Sequence, residues 1–306
     1  MKEIFEVIFS APFAYSVLRV TTPILFAALG AMIADKSGVV NIGLEGMMLM
    51  ASLMGVLGSA FTGSALLGLV LAVTSSILLA LVMAYFSLKL KTDIILAGIA
   101  LNLFAMGATV FLLYLLTGNK GVSSSLKSYT MSQLNIPIIG KLPIIGEIIS
   151  GHNILTYIAF LAVFLVYMLM FRTKLGLRMR AVGENEDAAK SVGINVIRIK
   201  VTALVFSGMM AGFGGAYMSM GYVSWFSANM TAGRGFIALA ASAMGRSLPL
   251  GTMIASLFFG FADALSNTMQ SLRVPAEFIQ MIPYVATIVG LTVYSMNKKK
   301  KSKANQ

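Results

Sequence analysis

Long apolar runs, separated by brief polar or glycine-containing punctuation, fill most of this 306-residue chain. A helix needs about 20 mainly apolar residues to cross the hydrocarbon core of a bilayer. Runs of that order occur at 12–33, 39–59, 63–88, 94–117, 153–171, 201–222, 248–268 and 276–296, with a shorter one at 234–245. The pattern predicts an all-α, polytopic membrane helical bundle of about nine spans, within a bracket of roughly 8–10. Most connectors are tight, so residues 1–306 are expected to form a single transmembrane domain. Two connectors stand apart. Residues 118–152 are punctuated by Gly, Ser and Pro and carry few charges, whereas 172–200 carry ten charged side chains, seven of them basic.

Composition sharpens this picture. The chain is 58% hydrophobic and only 11% charged, with a mean hydropathy of +0.87. Soluble domains carry about 25% charged residues, so disorder is excluded and the balance weighs against an ordinary water-soluble enzyme. Lys and Arg number 23 against 11 Asp and Glu, a formal net charge of +12. A nucleic-acid surface would gather that excess into one patch. Here it flanks apolar runs instead, at Lys89 and Lys91, at Arg172 to Arg180, and at Lys298 to Lys301. Lys and Arg resist translocation and mark the cytoplasmic side. The 172–200 loop, the 89–91 turn and the basic 297–306 tail are therefore expected in the cytoplasm, with the Asp35-Lys36 turn. The 118–152 loop and the 60–63 turn are expected outside, as is the N-terminus if residues 4–34 cross once. No nucleic-acid partner is expected; membrane lipid is, and the terminal lysines can meet its anionic headgroups. No cleavable signal peptide is evident, because Lys2 is followed by Glu3 and Glu6 with no small-residue cleavage site after a short apolar core.

There is no Cys and one His, His152, which removes thiolate metal sites, a Cys nucleophile and a His-rich metal site. The 22 Met are explained by flexible packing rather than a soft-metal path. No metal site is expected. Within the charged loop, residues 184–192 read as a short helix, with Glu184, Glu186 and Asp187 in its first turn and Lys190 in its last, as the helix dipole favours. Gly183 precedes it and Gly193 can end it in the left-handed conformation. Such a helix either shields the loop or docks into a partner, through the small surface of Ala188 and Ala189.

The same loop carries a family resemblance. Gly176-Leu177-Arg178-Met179-Arg180-Ala181-Val182-Gly183-Glu184-Asn185, continuing to Ala188-Ala189 and Gly193, resembles the coupling-helix signature of ATP-binding-cassette (ABC) importer permeases of the branched-chain amino acid and ribose type. Gly38-Val39-Val40-Asn41-Ile42-Gly43-Leu44-Glu45-Gly46-Met47-Met48 is similar to a motif of their nucleoside and simple-sugar subgroup. So is Gly233-Arg234-Gly235-Phe236-Ile237-Ala238-Leu239-Ala240, with Gly245-Arg246 and Pro249-Leu250-Gly251. Order and spacing match from about residue 20 to 296.

The resemblance implies a permease of the bacterial plasma (inner) membrane, crossing it many times and carrying nucleosides or simple sugars. It implies two cytoplasmic ATPase subunits, an identical or paralogous permease, and an external binding lipoprotein or periplasmic protein that delivers substrate. ATPase coupling would then fall to Arg180, Gly183, Glu184, Asn185, Ala188, Ala189 and Gly193. No cofactor is expected on this subunit, and ATP would be used by the partner ATPase; the chain has no G-x-x-x-x-G-K-[S/T] phosphate loop.

Polar residues within apolar runs are costly, about 2.5–3.5 kcal/mol for a charge at a helix centre, and mark candidate pathways. Asn41 and Glu45, four residues apart, are expected on one helical face, either gating and binding substrate or capping and tying helices. Asp263 and Asn267 form a second such pair near an external end. Asn102, in the middle of its run, binds a substrate hydroxyl or holds a neighbouring helix. Arg234, within the Gly233–Gly235 motif, serves a helix break or the pathway; it and Arg19 lie near span ends and can snorkel. Trp225, Tyr222 and Phe226 anchor an interface or stack on a nucleobase. Gly208, Ala211, Gly212, Gly215 and Ser219 recur at helix-packing spacing.

Two other functions compete. A secondary transporter would carry a coupling proton or sodium on Glu45 or Asp263. A membrane-embedded enzyme would need a metal-ligand set, a nucleophile–base pair or a carboxylate cluster, and the sequence offers none.

Overall fold

The structure, a computed structural model, describes residues 10–136 and 145–271, and Thr292 beyond them. Side-chain caps start many of the helices: Ser10 accepts from the Phe13 N–H at 3.3 Å, Asp93 from Ile95 at 2.8 Å, Asn153 from Leu155 at 3.0 Å and Asn195 from Arg198 at 3.0 Å. Satisfying the orphan donors of a first turn in this way contributes about 1 kcal/mol each. The helices are α1 (Ala11–Asp35), α2 (Leu44–Thr62), α3 (Ala65–Ala84), α4 (Ile94–Thr117), α5 (Ile145–Ile149), α6 (Ile154–Arg172), α7 (Lys174–Glu184), α8 (Glu186–Ser191), α9 (Val196–Tyr217), α10 (Arg234–Met244) and α11 (Pro249–Ser271). A π-helical turn extends α3 over Tyr85–Lys89, and another extends α9 over Met218–Tyr222.

Among the described residues, seven helices are long and apolar enough to cross a membrane, and α10 is a shorter apolar helix. The expected spans at 12–33, 63–88, 94–117, 153–171, 201–222 and 248–268 correspond to six of the seven. Apart from Thr292, the expected span 276–296 and the tail 297–306 lie outside the described residues. The seventh differs from expectation, because residues 39–43 are not helical and α2 begins only at Leu44.

The centre is built from α1, α2 and α9. α9 packs against α1, α2 and α3, and α1 is also covered by α10 and α11. Small residues permit this closeness: a Cβ on Gly215 would come 2.2 Å from the Met48 carbonyl oxygen. Gly208, Gly212 and Gly215 of the small-residue stripe on α9 therefore pack within the subunit, against α3 and α2. By contrast α3, α4 and α6 expose Leu78, Phe104, Phe111, Leu161 and Phe164. Apolar area on that scale marks a surface for lipid or for another protein.

The connectors gather at two ends. At one, Ala34, Val39, Leu88, Ile94 and Val201 share a cluster, and the Asp35 carboxylate accepts from the Ser247 hydroxyl. At the other, Ser123 bonds Phe226, Tyr129 bonds Ser59 at 3.2 Å, and the Tyr15 hydroxyl bonds the Gly151 carbonyl at 2.9 Å. His152 stacks on Tyr15 at 3.9 Å. Burial holds its imidazole below the ordinary range, against the hydrogen bond to the Ile148 carbonyl and with help from the Arg19 charge.

Candidate functional site

Two helices start inside the protein rather than at its surface, and neither has a capping side chain at its own N-terminus. These are α2, which follows Gly43, and α10, which follows Gly233 at φ +82°. The segment before α2 turns inward. Asn41 donates to the Ser207 hydroxyl at 2.9 Å, and Ser207 lies about 16 Å along α9 from its first residue at 1.5 Å per residue. Non-helical backbone at membrane depth is tolerated only where protein or a cavity surrounds it. Ser37, Val39 and Asn41 are accordingly buried.

Neighbouring spans supply the missing caps. The Asn102 Oδ1 of α4 accepts from the Gly46 N–H at 2.8 Å, while its Nδ2 donates to the Ile42 carbonyl at 2.9 Å. One amide thereby satisfies both sides of the broken backbone. Asn102→Ala is expected to cost about 1–3 kcal/mol, the penalty for a buried group left unpaired, measured as a lower thermal midpoint of the purified protein. Glu45, in the first turn of α2, does the same for α10: its two oxygens accept from Gly233 at 2.8 Å and Gly235 at 2.7 Å. A carboxylate at a helix N-terminus also meets the positive end of the dipole. Gly235 must lack a side chain, since a Cβ would lie 2.5 Å from the Glu45 nitrogen.

The expectation that Asn41 and Glu45 share a helical face is corrected. Asn41 precedes α2 and turns to α9, whereas Glu45 turns to α10; the glycines around residue 43 delay the helix. Nor does Arg234 snorkel. It forms an ion pair with Asp263 of α11 at 2.8 Å, the side chains being 17% and 12% exposed. Arg19 is likewise turned inward, donating to the Tyr222 carbonyl and lying 4.3 Å over the Tyr222 ring. Asp263 is engaged by Arg234, and its sequence partner Asn267 is exposed along the next turn.

Arg234 lies at the wall of a cavity of about 290 Å³ lined also by Val20, Pro23, Met218, Tyr222, Trp225 and Met230. A second cavity of about 170 Å³ shares Val20 and Tyr222 and adds Ser16, Arg19 and Asn267. The site is thus an aromatic and thioether-lined space with a neutralised guanidinium at its wall. Drug-sized ligand pockets begin near 300 Å³. The buried hydroxyls of Ser219 and Thr231 have no hydrogen-bond partner among the described residues. Of the three expected aromatic residues, Tyr222 and Trp225 line the cavity, while Phe226 is buried among Leu49, Leu53, Val56 and Leu113.

The charged loop forms a separate site at the end of the bundle shared with Asp35. The expected helix at 184–192 is α8, which starts two residues late at Glu186, because Glu184 closes α7 and Asn185 is the cap, its Oδ1 accepting from Asp187 at 3.0 Å and Ala188 at 2.9 Å. The break arises because Asn185 caps more strongly than Gly183, which remains inside α7. Gly193 ends the loop at φ +80°. Ala188 is exposed, but Ala189 is buried in the cluster that holds Val182, Val196 and Met179. The two alanines do not form one surface. Arg180 lies 4.9 Å over the Phe171 ring, and Glu184 is exposed. Sequence reasoning missed Val192, 75% exposed; its signal was an apolar side chain beside the terminating glycine of a polar loop.

The sequence model of the family described as "Branched-chain amino acid transport system / permease component" matches residues 13–291. The chain is 33% identical to the guanosine ABC transporter permease protein NupQ of Bacillus subtilis (strain 168), over 95% of this chain and 92% of that protein. It is 32% identical to the nucleoside ABC transporter permease protein NupC of Lactococcus lactis subsp. cremoris (strain MG1363), over 91% and 90%. Its fold is similar to a chain in the solved structure of PsaBC from Streptococcus pneumoniae in complex with Fab, with a TM-score of 0.54, 14% identity and 94% of each chain covered.

Proposed function

The chain belongs to the branched-chain amino acid transport system / permease component family, and from that membership we propose that it is the membrane-spanning subunit of an ATP-driven nucleoside importer. The observation that carries the substrate choice is the likeness, over nine-tenths of the chain, to permeases named for guanosine and for nucleosides. An aromatic cavity suits it, because a nucleobase can stack on Tyr222 or Trp225. Substrate passes the cavity at Arg234, and Asn267 lines the adjoining space. Asn41, Glu45, Asn102 and Asp263 hold the elements around that path.

ATP is bound and hydrolysed by two partner ATPase subunits, and this subunit holds no cofactor of its own. The ATPases dock on the 172–200 loop, where Glu184, Ala188 and Val192 are exposed and Asn185, Arg180, Gly183, Ala189 and Gly193 fix its shape. That loop, the 89–91 turn and the basic tail lie in the cytoplasm, and the 118–152 loop lies outside, where a binding protein delivers substrate to a pair of identical or paralogous permeases. The gradient-coupled alternative loses its carriers, because Glu45 is committed to two backbone N–H groups and Asp263 to Arg234.

The test is uptake in proteoliposomes. The complete complex with ATP is expected to accumulate labelled guanosine in competition with other nucleosides, and the subunit alone to accumulate none under a proton or sodium gradient. Gradient-driven uptake by the subunit alone, or preference for a pentose over every nucleoside, would overturn the assignment.

A further inference from the structure

Both ends of α10 are held by one short stretch of chain. Before α10, the Glu45 carboxylate accepts from Gly233 and Gly235. Just after α10, the Ser247 hydroxyl donates to the Asp35 carboxylate. Asp35 and Glu45 are the two ends of the inward-turning connection between α1 and α2. The middle of that connection abuts the charged loop, backbone against backbone. A Cβ on Gly183 would lie 2.3 Å from the Lys36 carbonyl oxygen and 3.0 Å from the Gly38 nitrogen, and one on Gly38 would lie 3.3 Å from the Gly183 Cα.

We propose that residues 35–45 are a transmission element that carries displacement of the 174–193 loop to α10, and through α10 to the Arg234–Asp263 pair at the cavity wall. The proposal rests on the importer function above and names how one of its sites reaches the other. Three features make the route mechanical. At Gly183 there is no side chain to absorb a shift by changing rotamer, so backbone pushes backbone. α10 is one short helix gripped at both ends, so it moves as a unit. Its flanks can bend: Asn229, Ala232 and Gly233 on one side and Arg246 and Ser247 on the other have φ between +46° and +82°. Non-glycine residues in that region cost of order 1–3 kcal/mol, and such positions cluster at switching elements. Hinges are a few residues at element ends that absorb large φ/ψ changes.

A purely structural fastening would lower the amount of folded protein but would leave the uptake obtained per ATP hydrolysed unchanged. That ratio is therefore the readout, measured on the assembled complex in proteoliposomes with guanosine and ATP. Asp35→Ala removes the acceptor at an exposed position, so core packing is left as it stands. Asp35→Asn keeps an oxygen for Ser247. Gly183→Ala places a methyl group against Lys36. Uptake per ATP is expected to fall about tenfold in Asp35→Ala and Gly183→Ala, within the range of factors typical of coupled sites, and to return in Asp35→Asn. A ratio equal to that of the unaltered complex in Asp35→Ala overturns the transmission role, even if Gly183→Ala fails to fold. An unaltered complex that moves no nucleoside overturns the importer function itself.

Discussion

Arg234→Met is expected to destabilise the protein by about 3 kcal/mol, at the lower end of the roughly 3–5 kcal/mol lost when one partner of a buried ion pair is removed. The lower end applies because Arg234 and Asp263 retain 17% and 12% exposure at the cavity, which gives the orphaned carboxylate some access to water. Asp263→Leu should cost a similar amount, leaving the guanidinium unpaired. The double variant Arg234→Met/Asp263→Leu is expected to be more stable than either single, because a well-packed apolar pair often replaces a buried ion pair without loss. Thermal unfolding of the detergent-purified protein measures all three. A coupling energy below about 0.5 kcal/mol, the level at which independent sites add, would show that the two charges do not stabilise each other.

Glu45→Ala strips the acceptor from two backbone donors at once. Hydrogen bonds to charged groups contribute about 1.5–3 kcal/mol each, so the loss is expected to reach about 3–6 kcal/mol and to concentrate on α10. Glu45→Gln should fall between, since its amide keeps one oxygen but turns an NH₂ group toward the second donor. Hydrogen exchange resolves this by segment. The α10 amides should exchange faster in Glu45→Ala while those of α6 keep their protection; unchanged exchange in α10 would remove the capping role.

Much of the architecture was legible because lipid imposes a simple rule: apolar length fixes the spans at 63–88, 94–117 and 153–171 almost to the residue. The failures share a cause. Residues 39–43 are as apolar as a span, with Val39, Val40 and Ile42, yet they do not form helix: Asn102 supplies the bonds to the Ile42 carbonyl and the Gly46 N–H, and Asn41 ties the segment to Ser207 of α9. Hydropathy cannot register a cap supplied 56 residues away. Likewise Asp263 and Asn267 looked like a pair by spacing, while the true partner of Asp263 is 29 residues away on α10. At the charged loop, composition marks an exposed segment, but which of Ala188 and Ala189 is exposed depends on which side faces Val182 and Val196. Only packing decides that.

The shortness of α10 bears on how the chain is made. At about 16 Å it falls well below the roughly 30 Å hydrocarbon core, and it begins with Arg234, a charge that resists insertion. α10 is therefore too short to enter the bilayer as an independent span and must fold in against its walls, α1, α2 and α11. Glu45 is synthesised 188 residues before the Gly233 it caps. At 5–20 residues per second, its carboxylate waits on the order of 10–40 s for its helix. In order of synthesis Asn102 comes first, then α10, and the counter-ion Asp263 on α11 last, so α10 closes only once α11 is in place. The nascent chain thus passes through an interval in which the Glu45 carboxylate has not yet met the backbone donors it caps.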